Sequence, residues 1–192
     1  MDEPRYELFA DKHRKRRPPA KVTEASLLRA GQRYIERYGG PSHAVATVLR
    51  RRARKAATRP DTELEDAMQL VDTVMATLLN SSALDDRHWA AERARRLHAR
   101  GTPMRMIRMR LAQKRLDRDH IDAAIEALGE EAGDPDLAAA WAYARRRRFG
   151  PFRFDGRSER RDKDLAAMAR AGFHYGIASK VIDAESADDD LS

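Results

Sequence analysis

Apolar side chains along this chain recur three or four residues apart, in short runs that polar, glycine or proline joints cut off. Between Leu84 and Leu128 three such runs follow one another. Asp85 and Asp86 stand where an N-cap and a first-turn anion belong, and Ala90, Ala94 and Leu97 form one stripe. Arg95, Arg96 and Arg100 crowd the far end of that helix. Gly101 then supplies a left-handed C′ position, and Thr102-Pro103 offers an N-cap with proline at the first helical site. Met104, Ile107 and Leu111 share a face of the second helix, which is expected to end near Leu116. Asp117 is placed to cap a third helix carrying Ile121, Ala124, Ile125 and Leu128. Three helices this short cannot bury their apolar faces alone, so the pattern calls for copies.

Degenerate copies are present. Asp134 and Gly150 align with Asp85 and Gly101 without a gap, and Met168 and Phe173 match Leu111 and Leu116 across an insertion at 151–158. Upstream, Leu27–Arg54 has the same outline, with Gly39-Gly40-Pro41-Ser42 at the joint and Val45 and Leu49 in place of Ile107 and Leu111. Thr62–Glu65 reads as a capping box opening a helix with Met68, Val71, Met75 and Leu78. Sustained β-branched alternation is absent. The expected fold is all-α: tandem three-helix repeats forming an elongated, curved array. The expected division is a disordered basic tail at 1–22, a first repeat at 23–83, a second at 84–131 and a third at 134–184. A frayed acidic tail follows at 185–192. Gly129–Gly133 reads as a flexible joint between repeats, and Pro151–Phe154 as an irregular segment whose aromatics tuck onto the last helices.

Charge changes the picture from scaffold to partner. The 192 residues carry a formal charge of +7, and 36% are charged while 6% are aromatic. Such a balance favours nucleic acid or an acidic protein surface, although helix-solvating arginines give the same total. The absence of cysteine excludes disulfides and thiolate metal sites and fits a reducing cytoplasm. No apolar run approaches the roughly 20 residues of a membrane span, and no secretory leader is evident. Phosphate-loop, dinucleotide, nucleophile-elbow and HExxH motifs are missing, and the six histidines are scattered. Helix capping accounts for Asp85-Asp86. No catalytic residue, metal or cofactor is therefore expected, and the chain does not read as an enzyme.

Several motifs in fixed order resemble the RecX regulators of the RecA recombinase. They are Leu84-Asp85-Asp86 before an Ala/Arg-rich helix ending at Gly101, LAQKRLDRDHIDAAIEAL (Leu111–Leu128), and Ala171-Gly172-Phe173. Arg33–Tyr38 followed by Val48–Arg51 is similar to that family's first repeat. The likeness runs from about Leu27 to Asp183. It departs in two places: Arg115 stands where the family has glycine, and 151–158 lengthens the last triplet. The resemblance implies a cytoplasmic monomer that binds in the groove of the RecA–single-stranded-DNA filament and inhibits its ATPase, strand exchange and growth. It would thereby act in DNA repair, homologous recombination and the SOS response.

Charge placement, rather than the family, selects the contact residues: Arg50, Arg51, Arg52, Arg54, Arg93, Arg96, Arg100, Arg108, Lys114 and Arg115, for DNA or recombinase. Trp89 borders the Arg93–Arg96–Arg100 stripe and reads either as a junction-packing residue or as a stacking platform. Three other classes stay open: a stand-alone helical nucleic-acid-binding protein, a scaffolding repeat protein for acidic partners and, last, an enzyme whose site the sequence does not advertise.

Overall fold

Helix signals dominate the sequence, and helices are what form. The computed structural model describes residues 20–186; the tail expectations for 1–19 and 187–192 lie outside them. Among the described residues there are nine α-helices, one 3-10 turn and no strand. In order they are α1 (Glu24–Tyr38), α2 (Ser42–Ala56), α3 (Leu64–Asn80), α4 (Asp86–His98), α5 (Met104–Ala112), α6 (Arg118–Ala132), α7 (Pro135–Arg147), the 3-10 turn Gly150–Phe152, α8 (Arg157–Ala171) and α9 (Tyr175–Asp183).

The buried apolar side chains gather in three clusters, each drawn mainly from three consecutive helices. Leu27, Val45, Leu49, Val71, Val74 and Leu78 centre the first. Ala90, Ala94, Leu97, Ile107, Leu111, Ile121 and Leu128 centre the second. Trp141, Met168, Phe173, Val181 and Ile182 centre the third. Each fully buried leucine or isoleucine contributes on the order of 1.5–3 kcal/mol, so each cluster holds its own helices. Leu84, which opens the second run in sequence, is 5% exposed and belongs to the first cluster. Val22 packs against the same cluster, so the chain is already seated there two residues before α1 begins.

Helix ends differ from the sequence reading in instructive ways. Thr23 caps α1 as a capping box, with Ser26 as the reciprocal partner. Thr62 does not cap α3. Its hydroxyl donates to Asp61, and Glu63 takes the N-cap position without a side-chain bond. Asp117 holds the N-cap of α6 but bonds no backbone N–H there. Helix α5 stops at Ala112, not near Leu116, because the chain turns through Arg115 at φ 57°. The glycine-rich joint is mostly helix: α6 runs through Gly129, and the break comes at Gly133, φ 64°. Pro103 occupies the N-cap of α5 rather than its first turn.

The triplets dock through carboxylates that serve a neighbouring helix. Asp85 caps its own α4 by accepting from the His88 N–H at 2.8 Å. Asp86 instead accepts from the Ser42 N–H at 2.7 Å, at the start of α2. Asp136 repeats the device on α7, accepting from the Met104 N–H at 2.7 Å. Each satisfies an N–H that the helix itself leaves without a partner. Gly101, at φ 73°, lets the α4–α5 turn lie on α7; a Cβ there would sit 2.4 Å from the Tyr143 nitrogen.

Candidate anion-binding surface

The cations singled out by sequence fall into six environments. Arg50, Arg51 and Arg54 lie on α2, half-buried or exposed. Arg52 lines a cleft in the first triplet together with Lys21, Arg29, Arg33 and Lys55. Arg93 and Arg100 line a second cleft, where α4 and α5 meet α7 and α8. The remainder do not join these clefts. Arg96 is exposed and donates to its own helix at the Glu92 carbonyl, 3.3 Å away. Arg108 is bound by Asp122, which also faces Arg118 at 3.4 Å. Both arginines hold the Asp122 carboxyl below its ordinary range, the Arg108 hydrogen bond most strongly. Lys114 and Arg115 are exposed on the turn after α5.

The second cleft matches the first in its five cations but gathers them from the second and third triplets together. It encloses about 440 Å³ and is lined by Arg93, Arg100, Arg110, Arg146 and Arg170, with Thr102 and Tyr143 on its walls. Arg110, Arg146 and Arg170 come from α5, α7 and α8, far apart in sequence, and only packing brings them beside α4. None of the lining residues is acidic. Among the described residues, none of the five guanidiniums pairs with a carboxylate. Arg146 lies 5.5 Å from the Tyr143 ring centroid, a cation–π contact that orients it. Trp89 takes the packing role, partly buried against the second cluster.

Elsewhere in the third triplet, cations are consumed by structure. Arg153 grips Asp164 with a bidentate pair, one contact at 2.8 Å, and the Asp164 side chain is 5% exposed. Arg157 donates to the Ile182 and Ala184 carbonyls at the end of α9. Arg161 binds Asp183 through two 2.7 Å hydrogen bonds and holds its carboxyl below the usual range. Phe152 tucks edge-on against Trp141, as expected of the insertion. Phe154 does not, and is 95% exposed.

The cation-rich clefts thus sit on a helical frame with no helix long and apolar enough, among the described residues, to cross a membrane. No protein-family model matches the chain. A Myxococcus xanthus (strain DK1622) protein named regulatory protein RecX is 34% identical over 189 residues, covering 97% of this chain and 100% of that relative. The chain belongs to the RecX family. Regulatory protein RecX of Agrobacterium fabrum (strain C58) is 34% identical over 113 residues, 57% of this chain and 58% of its own length. A crystal structure of regulatory protein RecX shares the fold, with a TM-score of 0.54 at 19% identity over 83% of this chain and 72% of that chain. Both relatives are named regulatory proteins.

Proposed function

We propose that this RecX-family chain binds the RecA–single-stranded-DNA filament and inhibits its ATPase, strand exchange and growth. The observation that supports it most is kinship along the complete length of a regulatory protein RecX. The three serial cores supply a compatible frame. Units at 23–83, 84–131 and 134–184 would form an extended, curved array able to follow a filament groove, acting as a monomer in the cytoplasm. Arg50, Arg51, Arg52, Arg54, Arg93, Arg96, Arg100, Lys114 and Arg115 are the contacts proposed for DNA or recombinase. Arg108 is a weaker candidate, because Asp122 already neutralises it.

Regulation of this kind needs no covalent step. A protein that binds the filament and its free protomers with different affinity shifts their equilibrium by that difference. Positive charge facing DNA phosphates and acidic protein would speed encounter and make inhibition salt-sensitive.

The test is recombinase ATPase on single-stranded DNA, titrated with the chain and with the triple reversal Arg93→Glu, Arg96→Glu, Arg100→Glu. Wild-type chain is expected to suppress hydrolysis, and the reversal to weaken suppression by tenfold or more at unchanged helicity. Equal inhibition by both would remove that stripe from the contact.

A further inference from the structure

The cleft between α4, α5, α7 and α8 carries an inference about ligand chemistry that needs no recombinase. Five arginines line its roughly 440 Å³, one each from α4, α5, α7 and α8 and Arg100 from the α4–α5 turn. Arginine cannot relieve the mutual repulsion by losing a proton, since its charge persists across the accessible pH range. Surface cations are ordinarily relieved by nearby carboxylates, as Arg95 is by Glu92 and Arg161 by Asp183. Here none of the lining residues can do so. An uncompensated cluster of this density is what an anion of several charges would complete.

The shape narrows the anion further. The cleft floor is preformed, because the Gly101 turn is pressed directly onto the α7 backbone and Thr102 is 8% exposed. A single phosphate offers too few oxygens to engage guanidinium forks from four helices. A planar guanidinium prefers to meet two oxygens of one phosphate side by side, so five of them suit two or three phosphates in succession. Tyr143 adds one aromatic wall, against which Arg146 is already oriented.

We infer that this cleft is a binding site for a short chain of consecutive phosphates. That chemistry has two sources: a free oligophosphate such as the tail of a nucleoside triphosphate, or the backbone of a nucleic-acid strand. The site shares Arg93 and Arg100 with the surface proposed above, yet stands whether or not a recombinase is the partner.

The experiment uses the full chain alone, at fixed salt, with inorganic tripolyphosphate by titration calorimetry and labelled oligothymidylate by anisotropy. Two variants remove equal charge: Arg93→Gln, Arg110→Gln, Arg146→Gln inside the cleft, and Arg87→Gln, Arg160→Gln, Lys180→Gln at exposed positions outside both clefts and outside the proposed contacts. The cleft variant is expected to lose at least tenfold in affinity for one probe or both, while the outer variant loses less than threefold and both keep wild-type circular dichroism. Loss confined to tripolyphosphate assigns a free oligophosphate, and loss confined to oligothymidylate assigns a strand. Should the triple variant unfold, Arg170→Gln alone, on an exposed α8 position, is expected to lose about threefold. Equal losses in the two variants, or no wild-type binding to either probe, would overturn the site. A cleft variant that loses tripolyphosphate but still inhibits recombinase ATPase would uphold it and separate it from the filament contact.

Discussion

The second and third triplets begin alike and then part. Each opens with an aspartate N-cap, Asp85 or Asp134, and follows its first helix with a left-handed glycine, Gly101 or Gly150. After Gly101 the second triplet passes at once into α5 through Thr102 and Pro103. After Gly150 the third makes a 3-10 turn and an extra segment before α8 begins at Arg157. The buried core side chains of the second are all aliphatic, with Trp89 packed at their edge and its α5–α6 ion pair, Arg108–Asp122, left half exposed. The third needs Phe152 against Trp141 and the buried Arg153–Asp164 pair to fasten its longer joint. Length added between two short helices leaves polar backbone and charge to be satisfied, and an inward-facing ion pair meets that need while tolerating little change.

That contrast is open to breakage. Asp164→Ala leaves Arg153 as an uncompensated, largely buried cation, and an expected loss of about 3–5 kcal/mol is read by urea unfolding. A loss below 1 kcal/mol would show that the insertion does not depend on the pair. The corresponding weak point of the second triplet is its tight turn rather than a charge. Gly101→Ala combines a left-handed φ with a Cβ 2.4 Å from the Tyr143 nitrogen. Together these are expected to cost about 2–4 kcal/mol. Gly133→Ala, at φ 64° with nothing within 4 Å, isolates the backbone penalty at about 1–2 kcal/mol. Equal losses at the two glycines would mean that the α4–α5 turn is not pressed on α7.

The smallest effect has the opposite sign. Arg115 holds φ 57° at the joint where the third triplet has Gly172 at φ 105°. Arg115→Gly relieves the left-handed strain, which the greater entropy of the unfolded glycine chain offsets in part, so thermal unfolding is expected to report a net gain of about 0.5–1 kcal/mol. If Arg115 also touches the filament, the same variant becomes more stable and a weaker inhibitor.

Much of the frame was legible because it is local. Helical spacing alone marks Leu97, Ile107, Leu111, Ile121 and Leu128 as buried, and the structure buries each of them. Capping of α4 and α7 by Asp85 and Asp134 follows from residues three positions apart. What escaped was long-range. That Asp136 serves Met104, or that Asp86 serves Ser42, depends on how triplets dock, and no local pattern encodes it. The same holds for the cleft. Arg93 and Arg100 stand out in sequence as a stripe on one helix, although α4 ends at His98 and Arg100 lies in the turn after it; Arg110, Arg146 and Arg170 look like ordinary solvated charge until packing brings them beside it. Arg108 shows the reverse: its charge is plain in sequence, and its neutralisation by Asp122 from another helix is not.

We propose that the cationic helical frame engages a coated strand in preference to a bare one. The most direct test is the binding of labelled chain to RecA–single-stranded-DNA filaments and to the same uncoated DNA, at matched salt. At least tenfold tighter binding to the filament is the expected result. Equal or tighter binding to bare DNA would contradict the account and support a stand-alone nucleic-acid-binding protein.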